Sequence, residues 1–140
     1  MYMLDTNICI YILKNHPEEA LDKFRLYSDE LSISTIVYAE LQYGIELSPA
    51  KIKQIRLEQL IEFLSLIKIK DWNQSAANKY AKIRKTLKQK GSLIGNMDML
   101  IAAHAISKQA ILVTNNIKEF NRVPELKIEN WVNQISIEKK

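Results

Sequence analysis

The stretch Ile94-Gly95-Asn96-Met97-Asp98-Met99-Leu100-Ile101-Ala102-Ala103-His104-Ala105 constrains this chain more than any other. After Asn96 it has no Gly or Pro and is rich in Ala and Leu, which favours a helix. Met97, Met99, Leu100, Ile101, Ala102, Ala103, Ala105 and Ile106 put apolar side chains on nearly every side of it. A helix of that kind is a buried helix. Yet its first turn carries Asp98, in register with Ile94, Ile101, Ala102 and Ala105. Two accounts are open. Asn96 caps the helix and Asp98 complements the positive end of its dipole. Alternatively, an inward carboxylate has a partner or a metal that offsets its desolvation.

The 140 residues are enough for one domain with one core. The hydrophobic share of 47% and charged share of 26% are those of an ordinary globular protein. A net charge of +4 is compatible with a nucleic-acid substrate but does not require one. The single cysteine, Cys9, has no internal disulfide partner. With no signal-like leader, that leads us to expect a reducing, cytoplasmic setting. Cys9 lies among Ile8, Ile10 and Ile12, which fits a buried thiol better than a nucleophile. No apolar run has membrane-spanning length, so no membrane partner is expected. Repeats, low-complexity segments and interdomain linkers are absent, and three Gly and three Pro predict short loops.

Taken in order, Tyr2-Met3-Leu4 predicts a central buried strand with Asp5 at its carboxyl end. Thr6 or Asn7 then caps a helix through Ile8, Ile10, Tyr11 and Leu13. Open α/β sheets bind ligands beyond the carboxyl ends of their strands. Asp5 is therefore either at a site or simply a turn residue. Pro17 suits the first turn of a second helix through Leu26. Leu31-Ser32-Ile33-Ser34 predicts a second strand, and Ser34 or Thr35 caps a helix from Ile36 to Gly44. Glu40 falls on the apolar face of that helix, one turn from Ile36 and beside Val37. Ser48-Pro49 reads as a cap with Pro at the first position of a helix through Leu64. Leu66 to Ile69 predicts a third strand, and the helix after Trp72 buries Ala76, Ala77, Tyr80, Ile83 and Leu87. Its outer face carries Lys79, Lys82, Arg84, Lys85 and Lys88, and Gly91 ends it. A lysine-rich face is commonly just solvated, but this one has no acid from Lys79 to Lys90 and is a candidate for phosphate contact. Ala110 to Val113 predicts a strongly apolar fourth strand, with Thr114-Asn115-Asn116 and then Glu119 and Phe120 in the loop after it. Leu126 to Glu129 predicts a short edge strand before Trp131. The tail 132–140 has weak periodicity and receives no function. Alternating strands and helices imply a parallel sheet with helices on both faces.

Asp5, Glu40 and Asp98 thus come from three separate elements. Clustered carboxylates repel one another unless a cation neutralises them. Oxygen ligands without His or Cys favour a hard ion, Mg²⁺ or Mn²⁺. Such a site activates water and stabilises a phosphodiester in transition. His16 and His104 lack metal-ligand spacing, and His104 on a buried helix reads as a satisfied core histidine. No Gly-rich phosphate loop, GxSxG elbow or CxxC pair is present. Spacing alone reaches an acid-cluster metal site in an α/β domain.

Met3-Leu4-Asp5-Thr6-Asn7, the Ala39-Glu40 pair, Ile94-Gly95 through Ala105, and Val113-Thr114-Asn115-Asn116 with Glu119-Phe120 resemble PIN-domain ribonucleases. More narrowly they resemble the VapC toxins of bacterial toxin–antitoxin pairs. The likeness runs in order from Met3 to about Trp131. It implies a PIN-like three-layer fold over residues 1–131, with a central, mostly parallel sheet of four to five strands. It also implies an Mg²⁺-dependent endoribonuclease that cuts structured RNA, often transfer RNA, and arrests translation. Asp5, Glu40 and Asp98 match the family's three core acids. Many relatives have a fourth acid in the loop after the fourth strand, where this chain has Asn115-Asn116 with Glu119 beyond. Asn116 could hold a metal-bound water, or Glu119 could reach the site. The likeness further implies a homodimer and a VapB-type antitoxin whose tail fills the groove. Operator DNA would be met only through that antitoxin.

Two functions follow. One is the ribonuclease toxin, with Lys82, Arg84, Lys85 and Lys88 on the RNA backbone. The other is a catalytically silent module of the same fold that binds RNA or protein through the basic helix. Asn at the fourth position favours the second, and three intact acids favour the first.

Overall fold

The computed structural model describes residues 1–132. Its strands are β1 (Tyr2–Leu4), β2 (Leu31–Ser34), β3 (Lys68–Lys70), β4 (Ile111–Val113) and β5 (Ile128–Glu129). They form one sheet in the order β3-β2-β1-β4-β5, and every neighbouring pair is parallel. The helices are α1 (Thr6–Leu13), α2 (Glu18–Leu26), α3 (Thr35–Glu46), α4 (Ala50–Leu64), α5 (Gln74–Gln89), α6 (Asn96–Ser107) and α7 (Ile117–Phe120). Parallel neighbours need crossover connections, and these are almost always right-handed. The chain steps outward from β1 to β3, then crosses to β4 and steps outward the other way. The handedness rule therefore puts α1 to α4 on one face and α5 to α7 on the other. This is the three-layer PIN-like arrangement.

Burial follows from that layering. Leu4, Leu112 and Val113 in the middle of the sheet are wholly enclosed. The edge strand β3 has Lys-Ile-Lys, with Ile69 41% exposed, and lysines on an edge discourage pairing with another chain. Helix α6 packs chiefly along α5 and also meets α3 and β4. Met99 and the run Ile101 to Ala105 are buried as a result, while Met97 in the first turn reaches solvent. Cys9 is fully buried, and that burial pushes its thiol well above the usual range, so it packs as an inert thiol.

Several boundaries differ from expectation. Asp5, rather than Thr6 or Asn7, is the N-cap of α1; its own carboxylate accepts from the Thr6 N–H at 2.8 Å. Gly95 precedes α6 with no side-chain cap, so Asn96 is the first helical residue rather than the cap. Pro49 stands at the N-cap of α4, because the Ser48 hydroxyl turns back to donate to the Gly44 carbonyl. Pro17 likewise precedes α2 instead of lying in its first turn. The third strand is Lys68–Lys70, shifted from Leu66 to Ile69, since Leu66 and Ile67 fall in the turn after α4. The short elements Ser28–Glu30, a 3-10 turn, and α7 were not anticipated. Of the tail 132–140, only Val132 is among the described residues, where it is buried.

Leu112 sits between β1 and β5 with no exposure. Leu112→Ala should cost about 2–5 kcal/mol of folding free energy, read by urea denaturation. A cost below about 1 kcal/mol would contradict this core.

Candidate active site

The connections out of β1 and β4 run in opposite directions, β1 toward β2 and β4 toward β5. The gap between their carboxyl ends is a topological switch point, where open α/β sheets keep their ligands. Asp5 stands there. Its backbone N–H donates to the Val113 carbonyl at 2.8 Å, which continues the ladder one residue beyond the strand. Its carboxylate accepts from the Thr114 hydroxyl at 2.7 Å and from the Thr6 N–H. Asp5 is only 5% exposed, and burial raises its pKa against the lowering effect of those two donors. The neighbouring charges of Glu40 and Glu119 raise it further.

Glu40 comes from α3, whose first turn is capped by the Ser34 hydroxyl. Its carboxylate accepts from the Thr6 hydroxyl at 2.7 Å, so Thr6 joins Asp5 to Glu40 through its own backbone and side chain. Asp98 comes from the first turn of α6 and is half-buried. Glu119 comes from α7. It accepts from the Gly95 N–H at 2.7 Å and from the Asn116 amide at 2.6 Å. Gly95 marks how close these groups lie: a Cβ there would stand 3.6 Å from both Asp98 and Glu119 carboxylate oxygens. Burial and a shared hydrogen bond with Glu119 push Asp98 up to about 7, with Glu119, Asp5 and Glu40 adding repulsion. The Gly95 N–H holds Glu119 below the usual carboxylate range, helped by Asp98, Asn116 and the Arg122 charge. The two shifts run in opposite directions, so of the pair Asp98 is the group that takes up a proton first as pH falls.

All five acid-loop candidates, Asp5, Glu40, Asp98, Asn116 and Glu119, therefore come together at one end of the sheet. The basic candidates do not join them electrostatically. Lys82, Arg84, Lys85 and Lys88 are exposed along α5, and the charges that most shift Asp5, Asp98 and Glu119 are those of the other acids and Arg122. Sequence reasoning missed Thr6 and Thr114 as the hydroxyls holding Asp5 and Glu40. The only available signal was a Thr beside Asp5 and another directly after a strand. His104 is buried as expected but only half satisfied. Its Nδ1 meets the Ser34 hydroxyl at 2.7 Å while its Nε2 has no partner among the described residues, and burial lowers it to about 4.

Residues 2–126 match the PIN domain. This chain is 47% identical over 133 residues to ribonuclease VapC2 of Rickettsia felis, covering 94% of this chain and 98% of that one. This chain belongs to the PIN-domain family, among the VapC ribonucleases. A second VapC, the tRNA(fMet)-specific endonuclease of Salmonella typhimurium, is 39% identical over 93% of this chain and 97% of its own length. Among solved structures, VapBC2 of Rickettsia felis bound to a promoter DNA fragment superposes with a TM-score of 0.87 at 46% identity, covering 94% of this chain and 98% of that one. DNA-bound VapBC of Salmonella typhimurium superposes with a TM-score of 0.88 at 40% identity over the same shares of both chains. The PIN-like fold and the VapC likeness read from the motifs are both met.

Among the described residues no three acidic, His or Cys side chains converge tightly enough to form a ready-made cation cage. The physical reason lies in the bonds above: Asp5 and Glu40 are held by hydroxyls, and Asp98 by Glu119. The donor chemistry still fits a hard divalent cation. The donors are all oxygen, and negative charge is in excess there, which a cation would relieve.

Asp98 binds its proton more tightly in the folded protein than the usual value of 3.8, at about 7. The resulting stabilisation is complete below the unfolded pKa and is lost as pH rises through about 7. Glu119 shifts the other way, so its contribution is already complete in this window. His104, lowered to about 4, contributes the opposite slope up to its usual 6.5, so the difference between proteins is the readout. In EDTA, the thermal midpoint of wild type minus that of Asp98→Asn should fall as pH rises from about 5 to about 8. A difference that rises over this range would contradict the raised Asp98 carboxyl.

Proposed function

We propose that this chain is the toxin of a VapBC-type pair, an endoribonuclease that cuts structured RNA, transfer RNA above all, in the cytoplasm. The observation that carries the reading is the approach of four carboxylates from four segments at the switch point, with Thr6 joining Asp5 to Glu40 and Gly95 lying against both Asp98 and Glu119. In this reading Asp5, Glu40 and Asp98 hold Mg²⁺, which Mn²⁺ can replace. When bound, the ion lowers the pKa of water and stabilises charge on the phosphodiester. The chain's own groups supply the positioning. Thr6 and Thr114 fix the oxygens of Glu40 and Asp5. Glu119, anchored by Gly95 and Asn116, takes the role of the fourth acid, and its place beside Asp98 supports that over a role for Asn116 alone. The silent-module reading rested on the missing fourth acid, and Glu119 removes its main support. Lys82, Arg84, Lys85 and Lys88 take the RNA backbone on the exposed face of α5.

The partner in this reading is a VapB-type antitoxin, as in the VapBC complexes of the relatives. A cavity of about 330 Å³ lined by Ile10, Leu13, Leu41, Ile45 and Leu60 opens beside Glu40, with Arg56 on its wall. An antitoxin tail with apolar side chains and an acidic group suits it. The toxin is a homodimer in this reading and meets operator DNA only through the antitoxin. No helix among the described residues is long and apolar enough to cross a membrane.

Purified chain incubated with total transfer RNA should yield discrete fragments with Mg²⁺ and none with EDTA. Asp5→Asn and Asp98→Asn should each lower the rate about a thousandfold while leaving the fold intact. Cleavage by Asp98→Asn at the wild-type rate would sink the assignment. Replacing Lys82, Arg84, Lys85 and Lys88 together by Gln should weaken RNA binding across sequences. It should also flatten the log–log salt dependence by about 0.7 for each phosphate that α5 no longer neutralises. An unchanged slope would take α5 out of the interface.

A further inference from the structure

Three adjacent strands, β1, β4 and β5, each lead into an asparagine at the ligand end of the sheet: Asn7, Asn115 and Asn130. The acids use none of these three side chains. Asn130 donates from Nδ2 to the Asn115 side-chain oxygen Oδ1 at 3.4 Å, and the Asn115 backbone N–H donates to the Asn7 side-chain oxygen at 3.5 Å. Asn115 in turn donates to the Tyr11 hydroxyl at 3.5 Å. These contacts exceed the usual range of about 2.7–3.2 Å, so they orient the amides without saturating them. The bonds that hold the acids are far shorter, 2.7 Å at both Asp5 and Glu40.

We propose that Asn7, Asn115 and Asn130 form a base-reading shelf beside the acids, which takes an unpaired keto nucleobase, guanine or uracil, of the RNA substrate. The inference rests on the ribonuclease reading above and adds what that site would select. Each carboxamide nitrogen carries two hydrogens. Asn115 and Asn130 spend one each, and the Asn7 nitrogen donates to no protein group among the described residues. Each side-chain oxygen already accepts a bond, that of Asn130 from the Val132 N–H at 2.9 Å. One lone pair remains on each oxygen, but the four unspent N–H groups outnumber them, so the shelf favours a ligand that brings acceptors. A phosphate would bring them with negative charge, beside Thr114 and the Asp5 carboxylate that it holds. A neutral base carbonyl avoids that repulsion. Guanine O6 and uracil O4 are carbonyl oxygens at the ring position where adenine N6 and cytosine N4 are amino groups. Sequence-specific RNA recognition works mainly on such unpaired bases, with aromatic side chains for stacking. Tyr11, half-buried with His16 edge-on at 6.2 Å, supplies a ring at the rim.

The test uses full-length chain in EDTA, where no metal supports cleavage, and short unpaired oligoribonucleotides differing at one base. Fluorescence anisotropy should show keto bases bound about tenfold more tightly than amino bases. Asn130→Ala, at an exposed position, should reduce that preference to about twofold or less. Asn115→Ser should do the same and guards against a local effect of Asn130→Ala on Val132. A wild-type chain with no base preference would overturn the shelf, as would a preference that survives both variants. Binding that follows salt but not base identity would mean a phosphate seat and would equally overturn it. A cleavage assay in Mg²⁺ separates the two readings. Keto preference without cleavage leaves the shelf standing and removes the nuclease, whereas cleavage without preference removes only the shelf.

Discussion

The hydrogen bond from Thr114 to Asp5 is the contact on which the rest of this molecule turns. It spans the gap between β1 and β4, the one place where the sheet's connections diverge. Without it, a buried carboxylate would face the interior with only the Thr6 N–H to offset its desolvation. With it, Asp5 is fixed in orientation, caps α1, and locks the ends of two central strands together. Thr6 extends the lock to Glu40, so the helices on that face are registered to the same point. Two threonines and one aspartate thereby turn a generic parallel sheet into a scaffold with a defined electrostatic focus.

That focus carries more negative charge than its surroundings neutralise. Burial and the neighbouring acids push the Asp98 carboxyl up to about 7, and a divalent cation would relieve the same repulsion. The same charge balance explains why the basic helix sits elsewhere. Cations beside the acids would neutralise them and weaken their affinity for a metal. On an exposed face of α5 they remain free to meet phosphates. In the reading proposed above, the arrangement separates two electrostatic jobs in space, an ion at the acids and a polyanion on α5.

Much of this was legible in the residues. Asp5 after an apolar run, Glu40 on an apolar helix face and Asp98 in a buried helix each break a local rule, and such breaks concentrate at functional sites. The alternation of apolar segments specified the parallel sheet and its crossovers. Boundaries were less legible, because Asp5, Gly95 and Pro49 each took an N-cap position that a neighbour could have filled. Caps are decided by a fraction of a turn, and neighbouring residues compete for them on nearly equal terms.

The sequence by itself determined which residues are buried, which acids lie on the wrong faces, and the family to which the chain belongs. These are properties of periodicity and of short motifs, and both are local. Only the tertiary structure decided which groups touch. That Glu119 rather than Asn116 leans on Asp98, that Thr114 holds Asp5 from a sequence separation of 109, and that three asparagines line up along β1, β4 and β5 all depend on strand order. Strand order is set by long-range packing and crossover handedness, to which no window of the sequence has access.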